Sequence, residues 1–479
     1  MTSEQNQLGT FLSKEELAKL LEITAQTLVT VSEENKNVPV APLPPLTEVK
    51  ARLTAFDFLS PTSPQELLKW TIQQMTTLEF QFSDPHYFGV FNPNPTAMGI
   101  IGDLLASVFN SQLASAISSP FGVLVEAHLI DFFSTQLGMK THKSGGIFTS
   151  GGTEANYTAV LCALHHACSD FERKGLTSIT PKPILYVSTE THHSFLKAAK
   201  MAGLGLDAVR EIPVTPSLTM DPIRLRAQIE TDRNAGARPF LIVGTLGSTS
   251  AAAIDPLKAL NEIAKKERCW FHIDAAWAGA IALLPEMQEV ISPCQDADSL
   301  CLDAHKWLNV PMTAGMLLCR DASWLHKSFR VDPSPYMPID TEDVMPPYHC
   351  SLQWSRRFVG LKLFLSLAAH GIEGYQKMLR HQIAMGNLLR QRLLDSGWTI
   401  HNETPLPVVC FTRENLPSPE KIAADIARTG KAWITTTQLT YQNQKVLRAG
   451  IANAMTNVEH IDTLVSLLNS AWEEQSCRS

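Results

Sequence analysis

The chain has 479 residues, of which 44% are hydrophobic and 18% charged, and its formal net charge is −7. This length exceeds one ordinary hydrophobic core, so we expect two or three domains in one subunit. The acidic balance, without a basic stripe or a zinc-finger spacing, argues against nucleic-acid binding. The polar N-terminus does not resemble a secretory signal and no apolar run is long enough to span a bilayer, so we expect no membrane association.

The nine cysteines lie between Cys162 and Cys477 and include no C-x-x-C pair. An odd number without a disulfide-framework spacing is typical of reduced thiols in a cytoplasmic protein. We therefore expect small buried cysteine side chains, a cytoplasmic location and no metal site.

The first part of the chain, to about residue 115, is predicted to be mostly helical. Ser13 and Glu16 have the spacing of a capping box at the start of a helix. A proline-rich connector follows at Asn37–Leu46 and excludes regular helix there. A second helix is predicted to begin at Pro64, with Ser63 as its N-cap.

In the middle of the chain, short apolar segments alternate with helical patterns. This alternation predicts a mainly parallel sheet with helices on both faces, and ligands of such sheets bind beyond the carboxyl ends of the strands. The predicted strands are Pro183–Ser188, Phe240–Thr245, Trp270–Ile273, Ser299–Leu302 and Gly315–Cys319. The predicted helices are Thr153–Lys174, Ser194–Gly203, Pro222–Arg233 and Pro256–Glu267.

The C-terminal part of the chain has a different pattern. A long helical region with breaks near Gly371 and Gly374 leads to strand-like segments and a final helix near Val458–Trp472. This order is typical of a smaller α+β domain. We therefore predict an N-terminal helical segment over residues 1–115, a large domain over 116–370 and a small domain over 371–479.

Two charged residues at predicted strand ends are the first candidates for chemistry. Lys306 follows a strand, where its amine would form a Schiff base with a carbonyl cofactor, although a lone lysine is more often a surface residue. Asp274 ends the preceding strand, and the small residues after it let a flat ring approach the backbone. Its carboxylate would pair with a protonated pyridine nitrogen, or it would simply cap the next helix.

Three further segments lie at strand-to-helix turns. Gly152 and Thr153 open a helix, so its amides and the threonine hydroxyl form either a phosphate cradle or an ordinary capping turn. His192 or His193 would stack on a π-system, or be a loop histidine. The hydroxyls of Gly244–Ser250 would face a cofactor or satisfy their own turn. Each feature alone is weak, but together they predict one crevice with a phosphate cradle, a stacking ring, an acid and a lysine.

On these segments the chain resembles the pyridoxal-phosphate-dependent group II decarboxylases, which include aromatic-L-amino-acid, glutamate and diaminobutyrate decarboxylases. The resemblance covers most of the chain from about residue 80 to 370. It implies PLP-dependent fold type I, the α/β fold of aspartate aminotransferase. The stretches that carry it are HYFGVFNPNPTAM, SSPFGVLVEAHLIDF, FTSGGTEAN, THHSFLKAA, TLGSTS, HIDAAWAG, LDAHKWLNVP, WSRRFVGLKLF and VLRAGIAN.

The resemblance implies a role for each matching residue. Lys306 would hold pyridoxal 5′-phosphate (PLP) as a Schiff base, Asp274 would pair with the pyridine nitrogen, and His192 would stack on the ring. The remaining implied cofactor contacts are Gly152 and Thr153 at the phosphate, His305 beside them, and Thr249 and Ala276 along the ring.

The activity implied by the resemblance is that of a carboxy-lyase, which converts an L-amino acid to the amine and CO₂. Family members are homodimers whose sites are built from both subunits, with the N-terminal helical segment wrapped around the partner. A loop in this family carries a tyrosine that protonates the carbanion left by CO₂. The matching loop is Val331–Ser351, where Tyr348 is the first candidate and Tyr336 the second, or where Tyr348 is a plain loop residue.

Departures from the family pattern bear on the substrate. Asp303 stands where relatives have asparagine, so a carboxylate near phosphate would need a compensating donor. Met312 and Thr313 also replace motif residues. Phe88, Phe91 and Met312 indicate either an apolar pocket for an aromatic substrate or ordinary core packing.

Other functions remain open on the same fold. An aminotransferase or an aldehyde-forming oxidative deaminase would use the same cofactor, and a phenylalanine in place of the loop tyrosine would favour the aldehyde. The intact pair of Asp274 and Lys306 disfavours a non-catalytic scaffold. A nucleotide-binding protein has only Gly203–Gly205 in its favour.

Overall fold

The N-terminal part of the chain is helical in the computed structural model, which describes residues 13–34, 37–331, 345–416 and 418–476. The predicted capping box is confirmed: the backbone N–H of Ser13 donates to Glu16 Oε2 at 2.7 Å, and that of Glu16 donates to Ser13 Oγ at 3.2 Å. The helices of this part are α1 (Lys14–Glu34), α2 (Leu46–Leu53), α3 (Pro64–Leu78), α4 (Ala97–Phe109) and α5 (Pro120–Gln136).

The start of α3 corrects one detail of the prediction. The helix begins at Pro64 as expected, but the side chain of Ser63 accepts no hydrogen bond from the helix amides. The ring of Pro64 already fixes the first helical φ and offers no N–H to be capped, so the helix starts without the serine hydroxyl.

The central part of the chain alternates strands and helices around one seven-stranded sheet. In chain order the elements are β1 (Gly145–Thr149), α6 (Gly152–Ala167), α7 (Phe171–Lys174), β2 (Pro183–Ser188), α8 (Ser194–Met201), β3 (Val209–Ile212), α9 (Pro222–Asn234), β4 (Arg238–Thr245), α10 (Leu257–Glu267), β5 (Trp270–Asp274), α11 (Gln288–Ile291), β6 (Ser299–Asp303), β7 (Gly315–Cys319) and α12 (Ser323–Phe329). The strand order is β1-β7-β6-β5-β4-β2-β3.

This sheet confirms the predicted α/β fold. Strands β3, β2, β4, β5 and β6 run parallel, and β7 is antiparallel to both of its neighbours. All five predicted strands are present, but β1 and β3 were not predicted. Strand β1 begins with two glycines and β3 carries two charged residues, so neither has the apolar run by which a buried strand is recognised.

Both faces of the large sheet are buried. Leu241 and Val243 of β4 belong to one hydrophobic cluster and Ile242 to another. Ala159 of α6 packs in the first cluster and Leu260 of α10 in the second, so helices cover both faces. The carboxyl ends of the strands are therefore the place where the sheet can receive a ligand.

The C-terminal part is built around a four-stranded antiparallel sheet of order β10-β11-β9-β8. Its elements are α13 (Gly360–Asp395), β8 (Thr399–Ile400), β9 (Val408–Thr412), α14 (Pro419–Arg428), β10 (Thr435–Leu439), β11 (Gln444–Gly450) and α15 (Val458–Ser476). Helix α13 has non-helical backbone at Gly371, with a φ of 63°, which confirms one of the two predicted breaks. The break predicted near Gly374 was wrong, because this glycine continues the helix. The α+β character is confirmed, whereas the two domain boundaries, after residues 115 and 370, stay a prediction.

Candidate active site

Side chains from several strand ends converge on one cavity of about 340 Å³. The cavity lies at the carboxyl ends of β4, β5 and β6 and at the start of α6. All eight residues that were predicted to contact a cofactor line it: Gly152, Thr153, His192, Thr249, Asp274, Ala276, His305 and Lys306. The structure thus brings the acid, the lysine, the histidines and the glycine turn together at the edge where parallel sheets bind ligands.

Asp274 is anchored at the end of β5 by three uncharged donors. Its Oδ2 accepts from Asn156 Nδ2 at 3.0 Å, and its Oδ1 accepts from the backbone N–H of Ala276 at 3.1 Å and from the thiol of Cys301 at 3.2 Å. Burial opposes its ionisation, but the charge of Lys306 and these hydrogen bonds outweigh burial and hold the pKa of Asp274 below its usual value. The side chain is therefore a fixed carboxylate at the cavity.

Lys306 contributes the cation of the cavity. Its Nζ lies 2.9 Å from Oδ2 of Asp303, the last residue of β6. Burial lowers the pKa of Lys306, but the charges of Asp303 and Asp274 outweigh burial and raise the pKa above its usual value. The amine is therefore protonated in this structure and must lose a proton before it attacks a carbonyl group.

The negative charge of Asp303 has the compensating donor that a carboxylate near a phosphate would need. Lys306 pairs with its Oδ2, and Nε2 of His305 lies 3.9 Å from the same atom. Its other oxygen, Oδ1, is buried without a hydrogen-bond partner among the described residues. The charge of this carboxylate is thus balanced mainly by one ion pair.

The glycine turn before α6 packs closely against the wall of the cavity. A Cβ on Gly152 would lie 3.0 Å from Asp303 Oδ2 and 3.1 Å from the Cβ of Ala276, so a larger residue would push these groups apart. Helix α6 begins at Gly152, which makes Thr153 a first-turn residue rather than the N-cap. The first-turn amides and the hydroxyl of Thr153 are donors of the kind that bind phosphate.

The two histidines of the cavity are neutral. Burial lowers the pKa of His192 and the pKa of His305, against the opposing effect of nearby carboxylates. Nδ1 of His192 accepts from the backbone N–H of Ser194 at 3.2 Å, and Nδ1 of His305 accepts from that of Ala314 at 3.0 Å. Each ring therefore carries its proton on Nε2.

Tyr348 does not line the cavity of its own chain. The side chain is buried, its ring lies against Trp354 with centroids 4.7 Å apart, and its backbone N–H donates to the carbonyl oxygen of Ala114 at 3.3 Å. Tyr336, the second candidate, lies outside the described residues. A catalytic role for either tyrosine stays a prediction.

Sequence reasoning missed the residues that support Asp274. Asn156 lies four residues after Gly152 on α6, so it faces the same side of the helix, and the helical period was a usable signal for it. His272 lies two residues before Asp274 on β5, on the same face of the strand. Its Nε2 lies 3.0 Å from Asn156 Oδ1.

The residues present fit PLP. Lys306 provides an amine for its aldehyde, and the start of α6, which lines the cavity with Gly152 and Thr153, suits its phosphate. The carboxylate of Asp274 has only uncharged hydrogen-bond donors, so a protonated ring nitrogen would give it an opposite charge.

A family model described as the pyridoxal-dependent decarboxylase conserved domain matches residues 61–414. Because this match covers well over half of the chain, the protein belongs to the pyridoxal-dependent decarboxylase family. It is a carboxy-lyase that uses PLP, as the sequence predicted.

The similar proteins include a decarboxylase and an aldehyde synthase. Tryptophan decarboxylase 2 of Oryza sativa subsp. japonica is 28% identical over 405 residues, which cover 81% of this chain and 80% of that protein. Phenylacetaldehyde synthase of Petunia hybrida is 28% identical over 407 residues, which cover 80% of this chain and 79% of that protein. The crystal structure of Oryza sativa TDC with PLP and tryptamine superposes with a TM-score of 0.90 at 23% identity, covering 97% of this chain and 100% of that one. This likeness confirms PLP-dependent fold type I.

Proposed function

We propose that this enzyme decarboxylates an aromatic L-amino acid and releases the amine and CO₂. The observation that carries the proposal is that Lys306 and Asp274 line one cavity together with the glycine turn at the start of α6. Membership of the family supplies the reaction class. The wall of the cavity and the named relatives support the choice of substrate.

Each charged side chain has its own task in this reaction. When bound, PLP supplies an electron sink for the electron pair that remains when a carboxyl group departs. Lys306 leaves Asp303 and presents a neutral amine at Nζ. Asp274 stays ionised and holds a proton on the ring nitrogen, which maintains the sink. The neutral ring of His192 forms one wall of the cavity.

A stack of aromatic rings supports an aromatic substrate. Trp277 lines the cavity and lies between Phe91, with centroids 4.4 Å apart, and Trp307, with centroids 4.9 Å apart. Trp277 thus brings apolar aromatic surface to the cavity, and the other two rings hold it in place from behind. Of the three residues expected in an apolar pocket, Phe91 packs on Trp277 but does not line the cavity, Met312 is 57% exposed, and Phe88 lies in the core of the C-terminal part.

The product is the second part of the proposal. A decarboxylase and an aldehyde synthase are equally identical to this chain, so overall identity does not decide between amine and aldehyde. We expect the amine, because the chain has a tyrosine at position 348, whose hydroxyl can donate a proton to carbon, where a phenylalanine would favour the aldehyde. Since Tyr348 lies outside the cavity of its own chain, it would serve the cavity of a second copy.

A homodimer is proposed from the apolar surface of the N-terminal helices. Helix α4 exposes Ile100, Val108 and Phe109, and Phe121 of α5 is 63% exposed. Helix α1 buries only Val31 among its residues. Monomeric proteins rarely leave apolar patches of this extent in water, and family members pair with a second copy through this segment.

A cytoplasmic location is proposed from the state of the cysteines. The eight cysteines in the described ranges are free thiols, and seven of them are buried. Free thiols are typical of a reducing compartment. No helix within those ranges combines the length and the apolar character that crossing a bilayer demands.

The substrate is tested with the PLP-loaded enzyme and a panel of twenty amino acids plus diaminobutyrate. We expect CO₂ and amine in equal amounts, with aromatic amino acids as the best substrates. Keto acid without CO₂ would overturn decarboxylation, and CO₂ with aldehyde and ammonia would overturn the amine as product.

In the same assay, Tyr348→Phe should raise the share of aldehyde among the products. An unchanged ratio of amine to aldehyde would remove Tyr348 from the reaction.

The dimer is tested separately by analytical ultracentrifugation. The wild-type enzyme should sediment as a dimer, whereas Phe109→Glu should shift it toward the monomer, because a charge would be buried at the interface. Ile223→Glu is the matched control, since Ile223 is also an exposed apolar residue, but on α9. A wild-type monomer would overturn the dimer.

A further inference from the structure

A chain of buried polar side chains lies behind Asp274, and the roles assigned above use only its last member, Asn156. The indole Nε1 of Trp270 lies 2.8 Å from Ser299 Oγ, which lies 2.8 Å from Nδ1 of His272. On its other side, Nε2 of His272 lies 3.0 Å from Oδ1 of Asn156, whose Nδ2 donates to Asp274. His272 and Ser299 are fully buried. The chain therefore connects the interior of the sheet to the carboxylate at the cavity.

The Asp274 end of this chain fixes the direction of the hydrogen bonds that lead to His272. The ionised Asp274 can only accept, so Asn156 presents Nδ2 to it and turns Oδ1 toward His272. Oδ1 can only accept, so His272 must carry its proton on Nε2. The Trp270 end agrees with this assignment: Ser299 accepts from the indole N–H, and its own hydrogen is available for the unprotonated Nδ1 of His272.

We infer that His272 and Asn156 are positioning residues for Asp274, with the Nε2–H of His272 locking the amide of Asn156 in the orientation that donates to the carboxylate. The oxygen and nitrogen of an amide are nearly alike in size, so only its hydrogen-bond partners decide which way it faces. A flipped Asn156 would turn its oxygen toward Asp274 and would also lose the bond that Nδ2 donates to Ser194 Oγ at 2.9 Å.

The surroundings of His272 keep its imidazole in one protonation state. Burial lowers the pKa of His272 to about 4, against the opposing charge of Asp274. Its other neighbours are uncharged: Ser299, Asn156 and the ring of Phe195, whose centroid lies 5.8 Å away. The imidazole therefore stays neutral at physiological pH, and its proton stays on Nε2.

Two amide variants of His272 test the hydrogen bond from its Nε2–H to Asn156. In His272→Gln the amide nitrogen takes the place of Nε2 and can still donate to Asn156, whereas in His272→Asn it takes the place of Nδ1 and cannot. Residues that orient the ligands of a bound metal are typically worth roughly 10–100-fold in its affinity, and we expect the same scale for a residue that orients Asp274. We expect PLP to bind His272→Gln within about threefold of the wild type, and His272→Asn at least about tenfold more weakly.

The protonation of the ring nitrogen of PLP is the readout that a merely structural role would not move. With PLP labelled with ¹⁵N in the ring, the shift should report a protonated nitrogen in the wild type and in His272→Gln. In His272→Asn it should move toward the unprotonated value. Equal affinities and shifts in the two variants would overturn the inference.

A matched control removes an indole hydrogen bond elsewhere. Trp398 Nε1 donates to Asn469 Oδ1 at 2.9 Å in the C-terminal part, so Trp398→Phe loses one such bond without touching the chain behind Asp274. The ring-nitrogen shift should stay at the wild-type value in this control. A moved shift would overturn the assignment, because the readout would then follow any loss of a buried bond.

A measurement on the wild-type holoenzyme keeps the inference testable if a variant does not fold. Neutron diffraction from deuterated crystals locates the hydrogen of each imidazole. We expect deuterium on Nε2 of His272 and none on Nδ1. Deuterium on Nδ1 would overturn the inference.

Discussion

The two charged sides of the cavity are built in opposite ways. Asp274 is buried and held by three hydrogen bonds, one of which leads back through Asn156 to the interior of the sheet. Lys306 is partly exposed and has one ion pair, to Asp303, whose second oxygen has no hydrogen-bond partner within the described ranges. The difference teaches that the acid is preorganised, whereas the amine is able to change partner.

The many partners of Asp274 and the few partners of Lys306 each suit the role of that side chain. A carboxylate that must hold one proton in place gains from neighbours that allow a single geometry. An amine that must leave an ion pair and attack a carbonyl group gains from having few partners to lose. The predictions below test whether the two sides really differ in this way.

The largest effect should come from the amine itself. Lys306→Ala leaves no group for covalent attachment, so the purified protein should lose its yellow colour, its borohydride-reducible PLP and its activity. Lys306→Arg is the control: it keeps a cation opposite Asp303 but cannot attach PLP, so it should lose activity while retaining the thermal stability of the cofactor-free protein. Reducible PLP on another lysine in Lys306→Ala would contradict the assignment.

The next largest effect should come from removing the charge of the anchored acid. Asp274→Asn keeps the shape but breaks a buried charge pair with the ring nitrogen, which typically costs about 3–5 kcal/mol. We expect kcat/KM to fall by roughly two to four orders of magnitude, since 1.36 kcal/mol corresponds to about tenfold.

Asp303→Asn is the matched control for Asp274→Asn, since it makes the same chemical change on the other side of the cavity. At the pH optimum of each variant, kcat/KM of Asp303→Asn should stay within about tenfold of the wild type, because Lys306 gives up this ion pair before it reacts. Equal losses in both variants would break the comparison between the two sides.

The pH dependence of cofactor loading should sharpen the same comparison. The charges of Asp303 and Asp274 raise the pKa of Lys306 despite burial. They therefore stabilise the cofactor-free protein at a pH below the ordinary pKa of lysine, and this stabilisation is lost as the pH rises through the raised pKa of Lys306. Asp303→Asn removes the nearer charge, so the amine becomes neutral at lower pH. We expect the profile of PLP attachment rate, followed by absorbance, to move to lower pH.

The control for this experiment uses pyridoxamine phosphate, which has no aldehyde and does not react with the amine. Its binding should not follow the deprotonation of Lys306 in either protein. An attachment profile that is identical in wild type and Asp303→Asn would show that Asp303 does not set the pKa of Lys306.

The sequence predicted which residues line the cavity better than it predicted their hydrogen-bond partners. The carboxyl ends of parallel strands meet at one edge of a sheet, so recognising β5 and β6 was enough to bring Asp274 and Lys306 together. Their hydrogen bonds depend on side-chain conformations across distant segments. Asn156 and Asp274 are 118 residues apart, and no local pattern of the sequence records their contact.

The loop tyrosine shows a second limit of sequence reasoning. Its position in the chain identified Tyr348 as a candidate, but the packing of its ring against Trp354 follows from tertiary structure alone. Strands β1 and β3 were missed for a related reason, since short strands with glycines or charges are held by their neighbours in the sheet rather than by their own apolar pattern.

The smallest effect should come from the hydrogen bond that Cys301 donates to Asp274, which is the weakest of the three bonds that anchor this carboxylate. Burial and the charge of Asp274 raise the pKa of Cys301 well above its usual value, so its thiol stays protonated and donates to Oδ1 at 3.2 Å. A thiol is a weak donor, and the two other bonds remain in Cys301→Ala. We expect the dissociation constant of PLP, measured by equilibrium titration, to rise about two- to threefold, as the loss of roughly 0.5 kcal/mol implies.

Cys294→Ala is the matched control for that small effect. Cys294 is equally buried, but it lies between β5 and β6 in the hydrophobic core and donates no bond to Asp274. Its removal should lower the thermal stability to a similar degree and leave the affinity for PLP unchanged. If Cys301→Ala weakened PLP more than about tenfold, the anchor would depend on a single thiol, and the redundancy that distinguishes Asp274 from Lys306 would be lost.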